Sequence, residues 1–329
     1  MVRTARRPPS GPAVSPSRRR RRAVLALLAA GAVLPAACGG AREAVTTTTM
    51  SSSTTTSVGV PAARPLAVEG PGRYDGEVVS GGLLRRFVLV VPESAPRPAP
   101  LVIVFHGFMG SPRDVEELSG MTSLAEQEAF VVVYPEGSGL PRSWRSDPRR
   151  GDLDVVFIRD LVTLLGRAVG IDPRRVYAAG MSNGGGMAAR LACDASDLIA
   201  AVGTVAAAYP TGVCPPGRPV PVAAFHGTDD PIVPYQGWGL LLPAVEEWLG
   251  GWAGRNGCRA GPVAERVAVD VTLSAWGDCP ASADVVLYAV EGGRHGWPGS
   301  GRDTGWGAST DSVDASVMLW EFFTAHPLP

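Results

Sequence analysis

The chain of 329 residues carries 30 basic and 31 acidic side chains, so its formal net charge is −1. Eight of the basic residues lie within residues 1–22, which contain no acidic residue, and the remainder therefore has a net charge of −9. A body this acidic repels phosphate, which excludes nucleic acid as the expected partner. Every basic residue is arginine, which excludes a mechanism that requires a catalytic lysine.

The amino-terminal region has the pattern of an export signal followed by a linker. Arginines at 18–22 precede an apolar run at 23–37, which is too short to cross a bilayer and has the length of a signal-peptide core. Small residues before Cys38 resemble a bacterial lipobox, although Pro35 stands where such motifs prefer leucine.

We therefore predict a signal peptide at 1–37 and acylation of Cys38, with simple secretion as the alternative. Residues 38–65, rich in Thr, Ser and Pro, are predicted to be a disordered tether. The tether would hold one extracytoplasmic domain, residues 66–329, and the lipid anchor would be its membrane contact.

Strand-like and helix-like segments alternate from Tyr74 onward. The predicted strands are 77–80, 84–91, 101–105, 130–134, 176–179, 220–225 and 285–290, and a further apolar run lies at 198–206. The predicted helices are one continuous helix at 115–128, then 152–168, the segment after residue 182, 245–252, and a closing helix that begins near Thr310 and Asp311. This alternation predicts a doubly wound, mostly parallel α/β sheet with helices on both faces and functional sites at the carboxyl ends of the strands.

A G-x-S-x-G pattern lies between the strand at 176–179 and the following helix. It reads Gly180-Met181-Ser182-Asn183-Gly184, and its small residues allow a sharp turn that presents Ser182 above the sheet edge. A serine hydroxyl is a poor nucleophile at neutral pH unless a neighbouring base accepts its proton and an acid orients that base. Ser182 is therefore the candidate nucleophile.

The candidate base and acid follow in the chain. His295 lies in a glycine-rich loop after the last predicted strand, which gives the order serine, acid, histidine. Asp229 and Asp230 both follow the strand at 220–225, and periodicity does not separate them. His106 and His226 each follow a strand and could be structural or line the site.

Two backbone N–H groups should stabilise the oxyanion of a tetrahedral intermediate. Asn183, directly after the candidate nucleophile, should supply one of them. Phe108, in the loop after the strand at 101–105, should supply the other, with Gly107 as the alternative.

Three tryptophans, Trp144, Trp238 and Trp297, fall in loops at the same predicted edge, where they would either contact a phenolic or acyl group or pack. Asp152 and Asp154 lack metal-ligand spacing and are better explained as solvated helix caps. Neither a metal nor a cofactor is expected.

Four cysteines lie in the body, an even number that in an exported chain predicts two disulfides. Sequence order favours Cys193 with Cys214 and Cys258 with Cys279, among three possible connectivities. Four buried free thiols are the alternative. No C-x-x-C spacing occurs, so the cysteines do not indicate a zinc site.

Several blocks together resemble the polyhydroxybutyrate depolymerase and feruloyl esterase group of α/β-hydrolases. In order they are HGFMGSP, VVVYPEG, RVYAAGMSNGGGMAARLAC, FHGTDDPIVPYQG, WAGRNGC and GGRHGWPG, spread over residues 74–326. The resemblance implies an α/β-hydrolase fold, and the G-T-x-D pattern of that group implies that the acid is its fourth residue, here Asp230. It also supports the two cysteine pairs favoured by sequence order.

The resemblance implies a serine carboxylesterase that works through a Ser-His-Asp triad and an acyl-enzyme, and the amino-terminal pattern predicts that it is exported. The expected substrate is a small ester or an ester-bearing polymer. No separate substrate-binding domain follows the resembling blocks, which argues against an insoluble polymer as the natural substrate. Two alternatives remain: an envelope acyltransferase that uses the same three side chains, and a catalytically silent surface-binding protein on a hydrolase scaffold.

Overall fold

The structure, a computed structural model, describes residues 62–210, 212, 214 and 217–329. The predicted signal peptide at 1–37, Cys38 and nearly all of the tether at 38–65 lie outside the described residues. Within the described ranges, no helix is both long enough and apolar enough to cross a membrane.

One ten-stranded sheet organises the described residues. Its strands are β1 Gly72–Ser80, β2 Leu83–Val91, β3 Ala99–Phe105, β4 Val131–Pro135, β5 Ile171–Met181, β6 Val202–Val205, β7 Val222–Gly227, β8 Ala260–Ala268, β9 Val271–Gly277 and β10 Val285–Val290. Strands β4, β3, β5, β6, β7 and β10 form a parallel centre in that spatial order, and antiparallel strands extend it at both edges. The mostly parallel α/β sheet predicted from the sequence is confirmed.

Helices cover both faces of the sheet. They are α1 Pro112–Ser119, α2 Met121–Glu128, α3 Leu153–Ala168, α4 Asn183–Asp194, α5 Val245–Asn256 and α6 Ala315–Ala325. Helices α3, α4 and α5 contribute to the core on one face, and α1, α2 and α6 contribute to the core on the other. Strands β3 and β4 are buried along their whole length, which explains why their sequences are continuous apolar runs.

Two predictions of local structure are wrong, and one hairpin was missed. Two helices, α1 and α2, replace the single helix expected at 115–128, because Gly120 between them adopts a left-handed conformation with φ of 63°. The closing helix begins at Ala315 rather than near Thr310, because the Asp314 side chain accepts the N–H groups of the first turn. The hairpin of β8 and β9 was not predicted, since the residues of β8 are exposed and lack an apolar pattern.

Two disulfides link loops to the helices that pack on the sheet. Cys193 of α4 is joined to Cys214, and Cys258, just after α5, is joined to Cys279. These are the pairs that sequence order favours. The first of them ties the chain segment after β6 to the helix that follows Ser182.

Candidate active site

The candidate nucleophile occupies a sharp turn between β5 and α4. Ser182 has φ of 53° and ψ of −124°, a conformation that a residue with a side chain rarely adopts. The turn needs glycine on both sides: a Cβ on Gly180 would lie 2.5 Å from the carbonyl carbon of Gly184, and a Cβ on Gly184 would lie 2.3 Å from the carbonyl oxygen of Phe105. The predicted strand, turn and helix are therefore all present.

The parallel strands bring distant residues to one edge of the sheet. Phe108 follows β3, Ser182 follows β5, Asp230 follows β7 and His295 follows β10. Because these four strands run parallel in the central sheet, their carboxyl ends lie at the same edge. The fold thus brings the predicted site residues to one sheet edge from segments far apart in the chain, and within the part of the chain that the structure describes no hydrogen bond joins Ser182 to His295.

His295 and Asp230 form a buried pair. The distance between His295 Nδ1 and Asp230 Oδ2 is 2.7 Å, and the two residues are 5% and 4% exposed. The other Asp230 oxygen, Oδ1, accepts the backbone N–H groups of Ile232 and Val233 at 2.8 and 2.9 Å. Asp229, the alternative acid, is exposed.

The environment of Asp230 favours its ionised form. Burial alone would raise the pKa of this carboxyl, but the hydrogen bond and charge of His295 and the two backbone N–H groups outweigh burial and lower the pKa. An ionised Asp230 holds the proton of His295 on Nδ1, which leaves Nε2 as the nitrogen that can accept a proton.

His226 lies beside this pair, but its ring is buried and its Nε2 contacts the Val233 carbonyl at 2.8 Å, which is a structural role.

A cavity of about 430 Å³ opens beside Ser182 and His295, which both line it. This volume falls in the range of small-molecule sites. The apolar part of its wall includes Phe108, Leu118, Ile232 and Trp306. A larger cavity of about 850 Å³ lies beside β1 and β2, but its described lining residues include no histidine.

The backbone of the loop after β3 is held by His106. The ring Nε2 accepts the Gly137 N–H at 2.9 Å, so the proton is on Nδ1, which donates to the Gly107 carbonyl at 2.7 Å. Burial lowers the pKa of His106 to about 4, which keeps the ring neutral near pH 7. Since the Gly107 carbonyl and the Phe108 N–H belong to one planar trans peptide and point in opposite directions, this bond also orients the Phe108 N–H.

The second candidate oxyanion donor lies at the start of α4. Asn183 is the first residue of this helix, where backbone N–H groups have no partner within the helix. The Asn183 side chain is bound to the loop between β4 and α3: Oδ1 accepts the Trp144 N–H at 2.7 Å, and Nδ2 donates to the Trp144 carbonyl at 3.2 Å.

The tryptophans predicted to line the site do not line this cavity. Trp144 and Trp297 are 0% and 1% exposed, and their indole N–H groups bind the His106 carbonyl and the Ser316 hydroxyl. This placement corrects the expectation of substrate contact for both. Trp238 is 62% exposed, in the loop after β7, and is absent from the described cavity wall.

Two residues near the candidate nucleophile were missed from the sequence. The Tyr209 hydroxyl lies 3.5 Å from Ser182 Oγ, and burial raises the pKa of Tyr209, so its hydroxyl stays protonated. Trp306, which is 56% exposed, lines the cavity from the loop between β10 and α6. The only sequence signal for either is that both follow a parallel strand, a property shared by many loop residues.

Asp152 and Asp154 were both expected to be solvated caps. Asp152 is the exposed N-cap residue of α3, although its side chain makes no cap hydrogen bond, whereas Asp154 is 0% exposed. Its Oδ1 lies 2.8 Å from Nη1 of Arg85, so the two form a buried ion pair. Asp154 Oδ2 accepts the Arg145 N–H at 2.7 Å, so Asp154 also binds the loop after β4. Among the described residues, no group of three or more His, Cys, Asp or Glu side chains is arranged to hold a metal ion.

The fold and the site together define an α/β-hydrolase, with a serine at a sharp strand-to-helix turn and a histidine–aspartate pair at the same sheet edge. A family model described as Esterase PHB depolymerase matches residues 85–211. A protein of Nocardia uniformis subsp. tsuyamanensis that is named as an esterase is 32% identical over 254 residues, which cover 68% of this chain and 73% of that protein. The chain belongs to the esterase PHB depolymerase family, and its enzyme class is that of the carboxylic ester hydrolases.

Other relatives carry more specific names. Feruloyl esterase B of Piromyces equi is 30% identical over 74% of this chain and 46% of its own length. Poly(3-hydroxybutyrate) depolymerase of Ralstonia pickettii is 28% identical over 78% of this chain and 56% of its own length, so the chain spans about half of each of these two proteins. The solved structure of an acetyl xylan esterase from Aspergillus awamori has the same fold, with a TM-score of 0.58 and 18% identity over 76% of this chain and 99% of that one.

Proposed function

We propose that this protein is an exported serine carboxylesterase in which Ser182, His295 and Asp230 act as a catalytic triad. The observation that carries the proposal is the buried His295–Asp230 hydrogen bond of 2.7 Å, whose imidazole lines the same cavity as Ser182. Each of the three residues follows a different parallel strand, and their chain order is that of α/β-hydrolases.

In acylation, Ser182 Oγ attacks the ester carbonyl carbon while His295 Nε2 accepts the hydroxyl proton. The new bond joins Oγ to the acyl carbon, and the carbonyl electrons move to oxygen, where the backbone N–H groups of Phe108 and Asn183 stabilise the charge. His295 then gives its proton to the leaving alcohol as the bond between acyl carbon and alcohol oxygen breaks. Asp230 remains ionised throughout and stabilises the imidazolium.

In deacylation, water attacks the acyl-enzyme and the same groups act again. His295 takes a proton from water, the oxyanion forms at the same position, and the proton returns to Ser182 Oγ as the acid leaves. Because one pair of donors serves both steps, a change in donor position should slow both steps.

The cavity supports a small ester, or one unit of an ester-bearing polymer, as the substrate. A volume of about 430 Å³ with Phe108, Leu118 and Ile232 on its wall suits an apolar acyl or aryl group. Feruloyl, acetyl and hydroxybutyrate esters are the first compounds to test, since similar proteins are named for activity on such esters. Export, and a lipid anchor on Cys38, also belong to the proposal, and the intact mass of the exported protein tests them.

Hydrolysis of a short chromogenic ester by the wild type and by Ser182→Ala tests the proposal. We expect the variant to lose activity while its circular dichroism and melting temperature stay close to those of the wild type. Undiminished hydrolysis by the variant would remove Ser182 from the mechanism. Adding alcohol acceptors to the wild type separates hydrolysis from acyl transfer, because a transferase would form new esters in preference to free acid.

A further inference from the structure

We propose that Trp144 is a positioning residue that holds together the two backbone segments bearing the candidate oxyanion donors. Its indole does not contact the substrate, since it is 0% exposed and lies outside the cavity wall formed by the described residues. The inference rests on the proposed function, because it assigns Trp144 a role in stabilising the oxyanion.

The indole binds the segment after β3. Trp144 Nε1–H donates to the His106 carbonyl at 2.9 Å, and the indole and imidazole ring centroids lie 5.1 Å apart. Since the His106 carbonyl and the Gly107 N–H share one planar trans peptide, this bond fixes the direction of the Gly107 N–H. The next peptide carries the Phe108 N–H. It is held by the hydrogen bond that His106 Nδ1–H donates to the Gly107 carbonyl at 2.7 Å.

The backbone of the same residue binds the start of α4. Trp144 N–H donates to Asn183 Oδ1 at 2.7 Å, and Asn183 Nδ2 donates back to the Trp144 carbonyl at 3.2 Å. Asn183 Nδ2 also donates to Ser146 Oγ at 3.2 Å. One residue therefore contacts both candidate donor segments, through its side chain on one side and its backbone on the other.

The loop that carries Trp144 is itself held firmly. The Arg145 N–H donates to the buried Asp154 carboxylate at 2.7 Å. Arg190, on α4 and 4% exposed, donates from Nη1 to the carbonyls of Arg145 and Gly151 at 2.6 Å each. Because Arg190 and Asn183 lie on the same helix, the loop is bound to α4 at two points, and Trp144 has little freedom to follow a displaced His106.

Trp144→Phe removes the indole N–H and keeps an aromatic ring in the core. The His106 carbonyl loses its partner, so the peptide between His106 and Gly107 is held less firmly, and the Phe108 peptide keeps only the His106 Nδ1 bond. Loss of a whole oxyanion donor costs about 100-fold to 1000-fold in kcat, so a donor that is loosened but present should cost roughly tenfold or more. KM should change less than about twofold, because the contact acts on the transition state and not on the bound ester.

Trp320→Phe is the matched control. Trp320 is 8% exposed on α6, and its indole N–H likewise donates to one acceptor, Glu128 Oε2, at 3.2 Å. Both variants lose one indole hydrogen bond in the core, so both should lose some stability, but only Trp144→Phe should lose kcat. An arylboronic acid, which forms a tetrahedral adduct with the serine, should bind Trp144→Phe more weakly by about the factor lost in kcat.

Asn183→Ala gives a second test that leaves the indole in place. It keeps the backbone N–H of residue 183 and removes the side chain that binds Trp144, so kcat should fall as well. Since both changes loosen one shared arrangement, the double variant should lose less than the product of the two single losses.

Equal kcat values for Trp144→Phe and Trp320→Phe would overturn the inference, and so would a raised KM with unchanged kcat, which would indicate substrate contact. If Trp144→Phe does not fold, an unchanged kcat in Asn183→Ala overturns it. Failure of the proposed function would be seen differently, as full activity in Ser182→Ala or no hydrolysis by the wild type.

Discussion

One added methyl group at position 184 should separate the elements that form the candidate oxyanion hole. The Cβ of Gly184→Ala would lie 2.3 Å from the carbonyl oxygen of Phe105 and 2.5 Å from that of His106. An ordinary carbon–oxygen contact is about 3.3 Å, so the start of α4 and the end of β3 must move apart by about 1 Å. Both obstacles are backbone atoms, and no side-chain rotation can relieve the overlap.

The cost should appear in both stability and rate. Forcing an extra methyl group into a packed site costs about 1–3 kcal/mol of unfolding free energy. A displacement of about 1 Å at a catalytic site costs roughly 100-fold in rate. We therefore expect Gly184→Ala to lose about 1–3 kcal/mol of stability and roughly 100-fold in kcat.

Gly166→Ala is the control for this experiment. Gly166 lies within α3, and a Cβ there meets no atom within 4 Å. The same chemical change should therefore raise stability by about 0.5–1 kcal/mol and leave kcat unchanged. Urea unfolding and initial rates of ester hydrolysis measure both quantities, and a Gly184→Ala protein within twofold of wild-type kcat would refute the reasoning.

Three further predictions concern single side chains. Asp230→Asn should favour the wrong tautomer of the candidate base and lower kcat about 10,000-fold, while Asp229→Asn, at an exposed position, should keep full activity in the same ester assay. Burial lowers the pKa of His106 to about 4 in the folded protein. As the pH falls below about 6.5, His106 is therefore protonated in the unfolded chain but stays neutral in the folded protein until about pH 4. Between pH 6.5 and pH 4, the free energy of unfolding should therefore fall by about 3 kcal/mol more in the wild type than in His106→Gln. An equal fall in both proteins, measured by urea unfolding at the two pH values, would contradict this. Tyr209→Phe removes a hydroxyl that lies 3.5 Å from Ser182 Oγ, and it should lower kcat/KM by roughly 2-fold to 10-fold. Tyr235→Phe is the control, because the Tyr235 hydroxyl donates to Glu246, and kcat/KM should stay unchanged. Equal kcat/KM values for the two variants would count against a role for Tyr209.

The central fold and the positions of the candidate triad were accessible from the sequence. Continuous valine-rich runs identify strands that are covered on both faces, and a parallel sheet places the ends of such strands at one edge. The G-x-S-x-G motif and the glycine-rich loop after the last strand identify Ser182 and His295, and the strand order then predicts that they share that edge. Asp230 was separated from Asp229 by the family resemblance, and the structure shows the physical difference between them, since one is buried against His295 and the other is exposed.

Side-chain direction in the loops could not be predicted in the same way. Trp144, Trp238 and Trp297 all occur in loops after strands, but the Trp144 indole turns inward to donate to the His106 carbonyl, while the Asn183 amide binds the Trp144 backbone. Those partners come from two other segments, so no local pattern reports them. Tyr209 was missed for a similar reason: its proximity to Ser182 depends on the path of the whole segment after β6.

The most direct test of the account is covalent labelling of the wild type, Ser182→Ala and His295→Ala with a fluorophosphonate probe, followed by peptide mass spectrometry. In the wild type, we expect one adduct, on Ser182, and ester hydrolysis should be lost as it forms. His295→Ala should be labelled slowly, and Ser182→Ala should not be labelled. Hydrolysis that survives without labelling of Ser182, or a label on another residue that abolishes activity, would contradict the assignment of the nucleophile.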